Sequence, residues 1–151
     1  MPDPNYPAAE ALLLTQIRAA TGFTAANSTR GDWRFINKEG IIAGAVIRPA
    51  PFELGYGEGM VEGKWRSVVE IWRKYVDDGT TLINLETDVK NIVARLILYQ
   101  HMGDTTNTIT DAAVTSGAEV LRVPPPPVGP HWLMQELTIE WIEHAAVTYA
   151  E

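Results

Sequence analysis

Residues 64–75 read KWRSVVEIWRKY, an aromatic-rich run in which apolar and polar side chains alternate imperfectly. Successive side chains of a β-strand point to opposite faces of the sheet. On one face this alternation places the apolar residues Trp65, Val69, Ile71 and Tyr75. The other face carries charged residues and also Trp72, so we expect Trp72 to contact something on that polar side.

A second long strand is predicted to begin at His131, in the run HWLMQELTIEWI at residues 131–142. Its apolar face consists of Leu133, Leu137, Ile139 and Trp141, interrupted by Gln135. Its polar face consists of Glu136, Thr138 and Glu140. The two runs therefore predict long strands that each bury one face.

An amphipathic helix is predicted between these strands, over residues 85–102. Asn84 is the expected N-cap, Gly103 the expected end, and His101 falls in the last turn. The apolar stripe consists of Leu85, Val89, Ile92, Val93, Leu96 and Tyr99. An earlier helix is predicted over Pro7–Thr21, with Gly22 as the left-handed residue that follows it.

The remaining strands are shorter. The apolar run Ile41–Ile47 predicts a strand buried on both faces, and residues 109–115 and 119–123 predict two weaker ones. The Pro- and Gly-rich residues 49–63 are expected to break regular structure. This element order predicts an α+β fold, with a small, mostly antiparallel sheet packed by two helices, in a single domain over residues 1–151.

Composition excludes several function classes. The chain has 151 residues, no cysteine and a formal net charge of -7. Without cysteine there are no disulfides, thiolate metal sites or cysteine nucleophiles. The negative charge argues against tight binding to nucleic acid, which needs clustered Lys and Arg. No apolar run is long enough for a membrane span, so we expect a cytosolic product that contacts no membrane.

The residues that could belong to a reactive site do not have the spacing that such a site needs. His101, His131 and His144 lack metal-ligand spacing, and the solvated acidic residues Glu140 and Glu143 are expected on opposite sides of a strand. Residues 55–59, GYGEG, lack the Lys-Ser/Thr ending of a phosphate loop and predict a hairpin tip. We therefore expect a protein that is not an enzyme, with no catalytic residue, metal or cofactor.

Two features leave alternatives open. The prolines at residues 124–127 predict either a stiff connector or a ligand for a proline-reading domain. The five tryptophans exceed what a small sheet readily buries, so some are expected either to contact a partner or to be covered by Lys and Arg stems.

The order of these elements resembles a known family. A short N-terminal helix precedes a two-strand unit that ends in WRSVVEIW at residues 65–72. A helix of the type DVKNIVARL follows at residues 88–96, and the chain closes on a strand like LTIEW at residues 137–141. This is similar to the tail terminator proteins of long-tailed bacteriophages and related gene transfer agents, over about residues 7–149.

The resemblance implies a structural virion protein of the neck, assembled in the host cytoplasm. Such a protein forms a homohexameric ring on the head-proximal end of the tail tube, stops tube growth and joins the tail to the head connector. Its partners are the major tail tube protein and a head-closure or connector protein, and DNA only passes through its acidic channel. The alternatives are another neck ring, such as a head-closure or tail adaptor protein, and a small monomeric ligand-binding domain near His131 and Trp132.

A ring contact is heterologous, so each subunit must present two unlike patches. We expect one patch on the Trp72 side of its strand and the other near the proline connector. The predicted interface residues are Tyr56, Trp72, Pro125, Pro126 and Trp132.

Overall fold

The computed structural model describes residues 6–106, 108–124, 127 and 129–146. In chain order the elements are α1 Tyr6–Ala19, β1 Ser28–Arg30, a 3-10 turn Arg34–Asn37, β2 Ala43–Pro49, β3 Glu53–Gly57, β4 Met60–Lys74, α2 Asp78–Leu98, β5 Ile109–Gly117, β6 Leu121–Val123 and β7 Trp132–Ala146. The class is α+β, as predicted, with two helices on a seven-stranded sheet.

The sheet is built around β4 and β7, which pair antiparallel along all 15 residues of each strand. The strand order is β1-β2-β4-β7-β5, with β3 beside the start of β4 and β6 beside the start of β7. All pairs are antiparallel except β1 with β2, so the sheet is mixed. β7 is the predicted final strand, and it extends beyond residue 142.

One face of the sheet, here called the helix-covered face, carries the odd-numbered residues of β4 and β7. Cross-strand pairs such as Trp65 with Trp141 and Val69 with Leu137 lie on this face. Both helices pack against it; Leu13 and Ile17 of α1, and Ala20 just after its end, lie in the core, as the spacing predicted. The opposite face, here called the open face, carries the even-numbered residues, including Trp72 and Glu140.

The main helix begins earlier than the sequence predicted. Asp77 is the N-cap, because its side chain accepts a hydrogen bond of 2.7 Å from the backbone N–H of Thr80. The predicted cap Asn84 therefore lies inside α2, and the prediction was wrong. α2 ends at Leu98, so His101 lies in the turn after the helix instead of in its last turn.

The segment predicted to be irregular is a regular hairpin. β3 pairs with the first residues of β4, from Glu53 opposite Lys64 to Gly57 opposite Met60. The two residues between the strands are Glu58 and Gly59, and Gly59 has a φ of 67°, which a glycine adopts without strain. The alternation of Leu54 and Tyr56 with glycines hid this strand in the sequence, because Gly is depleted in strands.

Candidate functional site

Two predicted interface residues, Trp72 and Trp132, lie against each other on the open face. Each is only 7% exposed, and their rings meet edge to face with centroids 6.4 Å apart. Val46 and Met134 complete this small cluster. Trp72 therefore makes its contacts within the chain, and the two indoles present little surface to a partner.

The buried carboxylate of Glu70 links this cluster by hydrogen bonds to the rest of the open face. Glu70 Oε1 accepts hydrogen bonds from the indole N–H of Trp33 at 2.8 Å and of Trp72 at 3.1 Å. Arg48 donates to Glu70 Oε2 at 2.9 Å and to Glu136 at 2.6 Å, and the bond to Glu70 raises the pKa of Arg48. The polar groups of this face thus satisfy one another, as buried charges require.

The acids of β7 are not the solvated edge that the sequence predicted. Glu140 lies 3.2 Å from Arg66 and 3.6 Å from Lys64, and Arg66 also lies 3.9 Å from Glu53. Burial raises the pKa of Glu140, but the Arg66 hydrogen bond and charge outweigh it and lower that pKa. Glu143 does lie on the opposite face from Glu140, as predicted, but it is buried. Its burial by the elements over the helix-covered face was not visible in the sequence.

The histidines lie apart. His101 and His131 are exposed, whereas His144 is half-buried with its Nδ1 3.8 Å from Glu62 Oε2. In the part of the chain that the structure describes, no group of three His, Asp or Glu residues is placed to hold a metal ion.

The nearest approach to a catalytic arrangement is a buried cluster that the sequence did not indicate. Ser67 Oγ donates to Glu10 at 3.2 Å and lies 2.8 Å from the Tyr6 hydroxyl, while Arg30 donates to Glu10 at 2.9 Å. Burial raises the pKa of Tyr6. Ser67 has no solvent exposure, so no substrate reaches its hydroxyl, and the cluster serves to bind α1 to β1 and β4.

The hairpin of residues 53–64, here called the arm, is the least covered part of the sheet. All residues of β3 are exposed, and Tyr56 is 74% exposed. Leu54 and Tyr56 pair with Gly63 and Val61, so they lie on the side of the sheet that carries the helices. Phe52, also exposed, packs on Trp65 with ring centroids 4.5 Å apart. β3 therefore exposes apolar side chains on this side of the arm, whereas Val61 of β4 beside it is buried.

A second exposed surface, with a large apolar side chain near each end, runs along α2 on the side away from the sheet. It consists of the exposed residues Ile83, Thr87, Lys90, Ala94 and Ile97, here called the outer stripe. Ile83 and Ile97 are each 64% exposed, and Leu98 beside them is also exposed. Large exposed aliphatic groups on one helix face indicate an interaction surface.

Comparison with known proteins adds no family to this description. No protein-family model matches the chain, and no curated protein matches it. None of the helices in the described residues is long and apolar enough to cross a membrane.

The site is thus a pair of surfaces. Of the predicted interface residues, Tyr56 is exposed, Trp72 and Trp132 are buried, and Pro125 and Pro126 lie outside the described residues. The outer stripe was not predicted from the sequence, although its signal is present there. Ile83 and Ile97 fall between the core positions of α2, so the helix carries apolar residues on two faces.

Proposed function

We propose that this chain is a ring-forming structural protein of a bacteriophage neck, of the tail-terminator type. Six copies would close a ring on the head-proximal end of the tail tube, end its growth and join the tail to the head connector. The observation that carries the proposal is the presence of two unlike surfaces with exposed large apolar side chains, the arm and the outer stripe, on one small chain. A cyclic ring uses such a pair, because each subunit contacts one neighbour through one patch and the other neighbour through the second.

Charge and element order add support. With a net charge of -7, copies arranged around a channel repel the phosphate backbone, so DNA slides without binding. The order of helix, strands, helix and closing strand is the one on which the resemblance to tail terminators rests. Ser67 is fully buried, and the buried carboxylate of Glu70 is hydrogen-bonded to Trp33 and Arg48. Neither side chain is therefore accessible to a substrate.

One observation favours a small ligand-binding module instead. A concavity of about 560 Å³ lies on the arm, where Gly55 and Gly57 leave room beside Glu62, Lys64 and His144. This position differs from the cleft expected near His131 and Trp132. Most of its lining residues are exposed and several are charged, whereas small-molecule sites are usually enclosed and apolar.

The mass of the protein in solution, with and without tail tubes, tests the proposal. We expect a particle of about six times the 16.7 kDa chain mass, either alone or after tubes are added, and rings with a central channel in electron micrographs. Tubes alone and an unrelated acidic protein of similar size serve as controls. A single-chain mass at every concentration, together with no co-sedimentation with tubes, would overturn the ring.

A further inference from the structure

We propose that the free edge of β3 pairs antiparallel with the β3 edge of a second copy, about a two-fold axis at Gly55. This contact goes beyond the proposed ring, because a two-fold contact uses one patch twice and closes at two copies, whereas a ring contact joins two unlike patches. The dimer is therefore the state of the protein before it meets a tail tube. It occupies the arm that the ring uses, so ring assembly has to separate the two copies.

β3 is hydrogen-bonded along one edge only. It pairs with β4 over residues 53–57, and no other strand among the described residues pairs with it. The two-residue turn closes on the pair Gly57 and Met60, which exchange both backbone hydrogen bonds, and in an antiparallel ladder every second residue repeats this arrangement. The N–H and C=O groups of Leu54 and Tyr56 consequently point away from β4. Such unpaired backbone groups are a template for another extended chain.

The other edge strands in the described part of the chain are short, bulged or covered. β5 shifts register twice against β7, and Asp111 within it has a φ of 57°, so its edge is irregular. β1 and β6 have only three residues each, and Arg18 donates a hydrogen bond of 2.7 Å to the C=O of Ser28 in β1. β3 has five residues in regular register, and residues 54–57 carry no charge. Its edge therefore lacks the features that keep strands from pairing between molecules.

The sequence of β3, ELGYG, is complementary to itself in the antiparallel direction. With Gly55 opposite Gly55 of the other copy, Leu54 lies opposite Tyr56, and these are the residues whose backbone groups face outward in both copies. Their side chains, 38% and 74% exposed, lie on the same side of the sheet, so each gains an apolar cross-strand neighbour. On the other side Glu53 lies opposite Gly57, so no two acids are directly opposed. A second copy thus satisfies both the backbone and the side chains of this edge.

A cysteine at the two-fold axis gives a direct test, because the chain has no cysteine of its own. An added Cβ at Gly55 makes only an ordinary contact of 3.7 Å, and at Gly57 it meets nothing within 4 Å, so both positions accept a side chain. We expect Gly55→Cys to form a disulfide-linked dimer on mild oxidation in the absence of tail tubes.

Gly57→Cys is the matched control, on the same strand and the same face. In the proposed register its two Cα atoms lie about 14 Å apart, beyond the roughly 7 Å that a disulfide spans. Gly57→Cys mixed with Glu53→Cys should give a linked heterodimer, because these two residues are opposed. Equal yields of linked dimer from Gly55→Cys and Gly57→Cys, or none from Gly55→Cys, would overturn the pairing.

A second test removes a backbone donor from the edge. Tyr56→Ala and Tyr56→Pro both shorten the same exposed side chain, but only proline also removes the N–H that points away from β4. Tyr56→Ala should weaken dimerisation about three-fold, through the lost side-chain contact. Tyr56→Pro should weaken it by about a further ten-fold, because one hydrogen bond per copy is lost. Equal dissociation constants for the two variants, measured by sedimentation equilibrium, would show that the backbone edge is not the contact.

The pairing and the proposed ring fail independently. An edge contact of five residues per copy buries little area, so the dimer is expected only at high protein concentration. If the unaltered protein stays a single chain at millimolar concentration but forms rings with tail tubes, the pairing is wrong and the ring stands. If the dimer forms, and tubes neither dissociate it nor yield rings, the proposed function fails and the pairing stands. Circular dichroism of each variant verifies that the substitutions leave the fold intact.

Discussion

The middle of the sheet and the arm are built from the same strand, β4, yet they differ in what covers them. In the middle, Val69 and Ile71 are fully buried beneath the helices. On the arm, Val61 of β4 is still buried, but Leu54 and Tyr56 of the neighbouring strand β3 occupy the same side of the sheet and remain exposed. The comparison shows that an alternating strand specifies a buried face only as far as another element reaches to cover it.

The largest expected effect on stability comes from a substitution in the part of the sheet that the helices cover. Trp141 has no solvent exposure and packs with its ring centroid 5.6 Å from that of Tyr6. Trp141→Ala should lower the free energy of unfolding by about 3–5 kcal/mol, measured by urea denaturation. Trp141→Phe should cost less, because it keeps an aromatic ring and removes an indole N–H without a described hydrogen-bond partner. A loss below about 1 kcal/mol for Trp141→Ala would contradict the core placement.

The next largest effect on stability is expected at Gly63, where the arm meets the middle of the sheet. An added Cβ at Gly63 would lie 2.4 Å from Nε1 of Trp65, a buried and rigid indole. Gly63→Ala should therefore destabilise the protein by about 1–3 kcal/mol. Gly57→Ala is the matched control, since nothing lies within 4 Å of a Cβ there. Equal melting temperatures for the two variants would show that the indole does not lie over Gly63.

Asp104, a buried carboxylate in the loop after α2, should make the stability of the protein depend on pH. Burial raises the pKa of Asp104, but hydrogen bonds from Thr106 and Thr108 hold that pKa at about 2, against 3.8 in the unfolded chain. A lowered folded pKa means stability that is present above pH 4 and is lost as the pH falls towards 2. Asp104→Asn should lose up to about 2 kcal/mol at pH 7.

The arm supplies the control for that measurement. Glu58→Gln removes an exposed carboxylate with no described partner, so unfolding should change by less than about 0.5 kcal/mol. The stability of Asp104→Asn should depend less on pH between 4 and 2 than that of the unaltered protein. If both proteins give parallel pH profiles, Asp104 is not held as the structure shows.

The smallest expected effect on stability comes from a substitution on the arm, at Tyr56. Tyr56→Ser removes a side chain that is 74% exposed, so the free energy of unfolding should change by less than about 0.5 kcal/mol. The same change should abolish or strongly reduce assembly, as measured by sedimentation. If Tyr56→Ser instead lowered stability strongly and left assembly unchanged, Tyr56 would serve the core of the fold and not an interface.

Much of the covered region was predictable because its elements are strongly periodic. The long strand of β7 and the core positions Leu85, Ile92 and Leu96 follow directly from spacing. Boundaries were less predictable, since Asp77-Asp78-Gly79 has the composition of a turn and also caps a helix. β3 was missed because Gly55 and Gly57 replace the side chains that usually mark a strand.

The tryptophans show where prediction from sequence ended. Trp33, at the edge of the open face, is partly exposed, whereas Trp65, Trp72, Trp132 and Trp141 are buried. Their number predicted that some contact a partner or are covered by Lys and Arg stems, but the two long strands extend both faces of the sheet enough to bury most of them. Alternation assigned Trp72 to the polar face, and the register with Met134 and the neighbouring Trp132 decided that it is covered there.

The sequence by itself determined the α+β class, the faces of the long strands and the absence of cysteine chemistry, because these depend on local periodicity and composition. Only the tertiary structure decided which apolar surface stays uncovered. That outcome depends on how far α1 and α2 extend over the sheet, and on the strand register that places Leu54 and Tyr56 on their side of it. Coverage is a relation between elements distant in the chain, so no single stretch of residues encodes it.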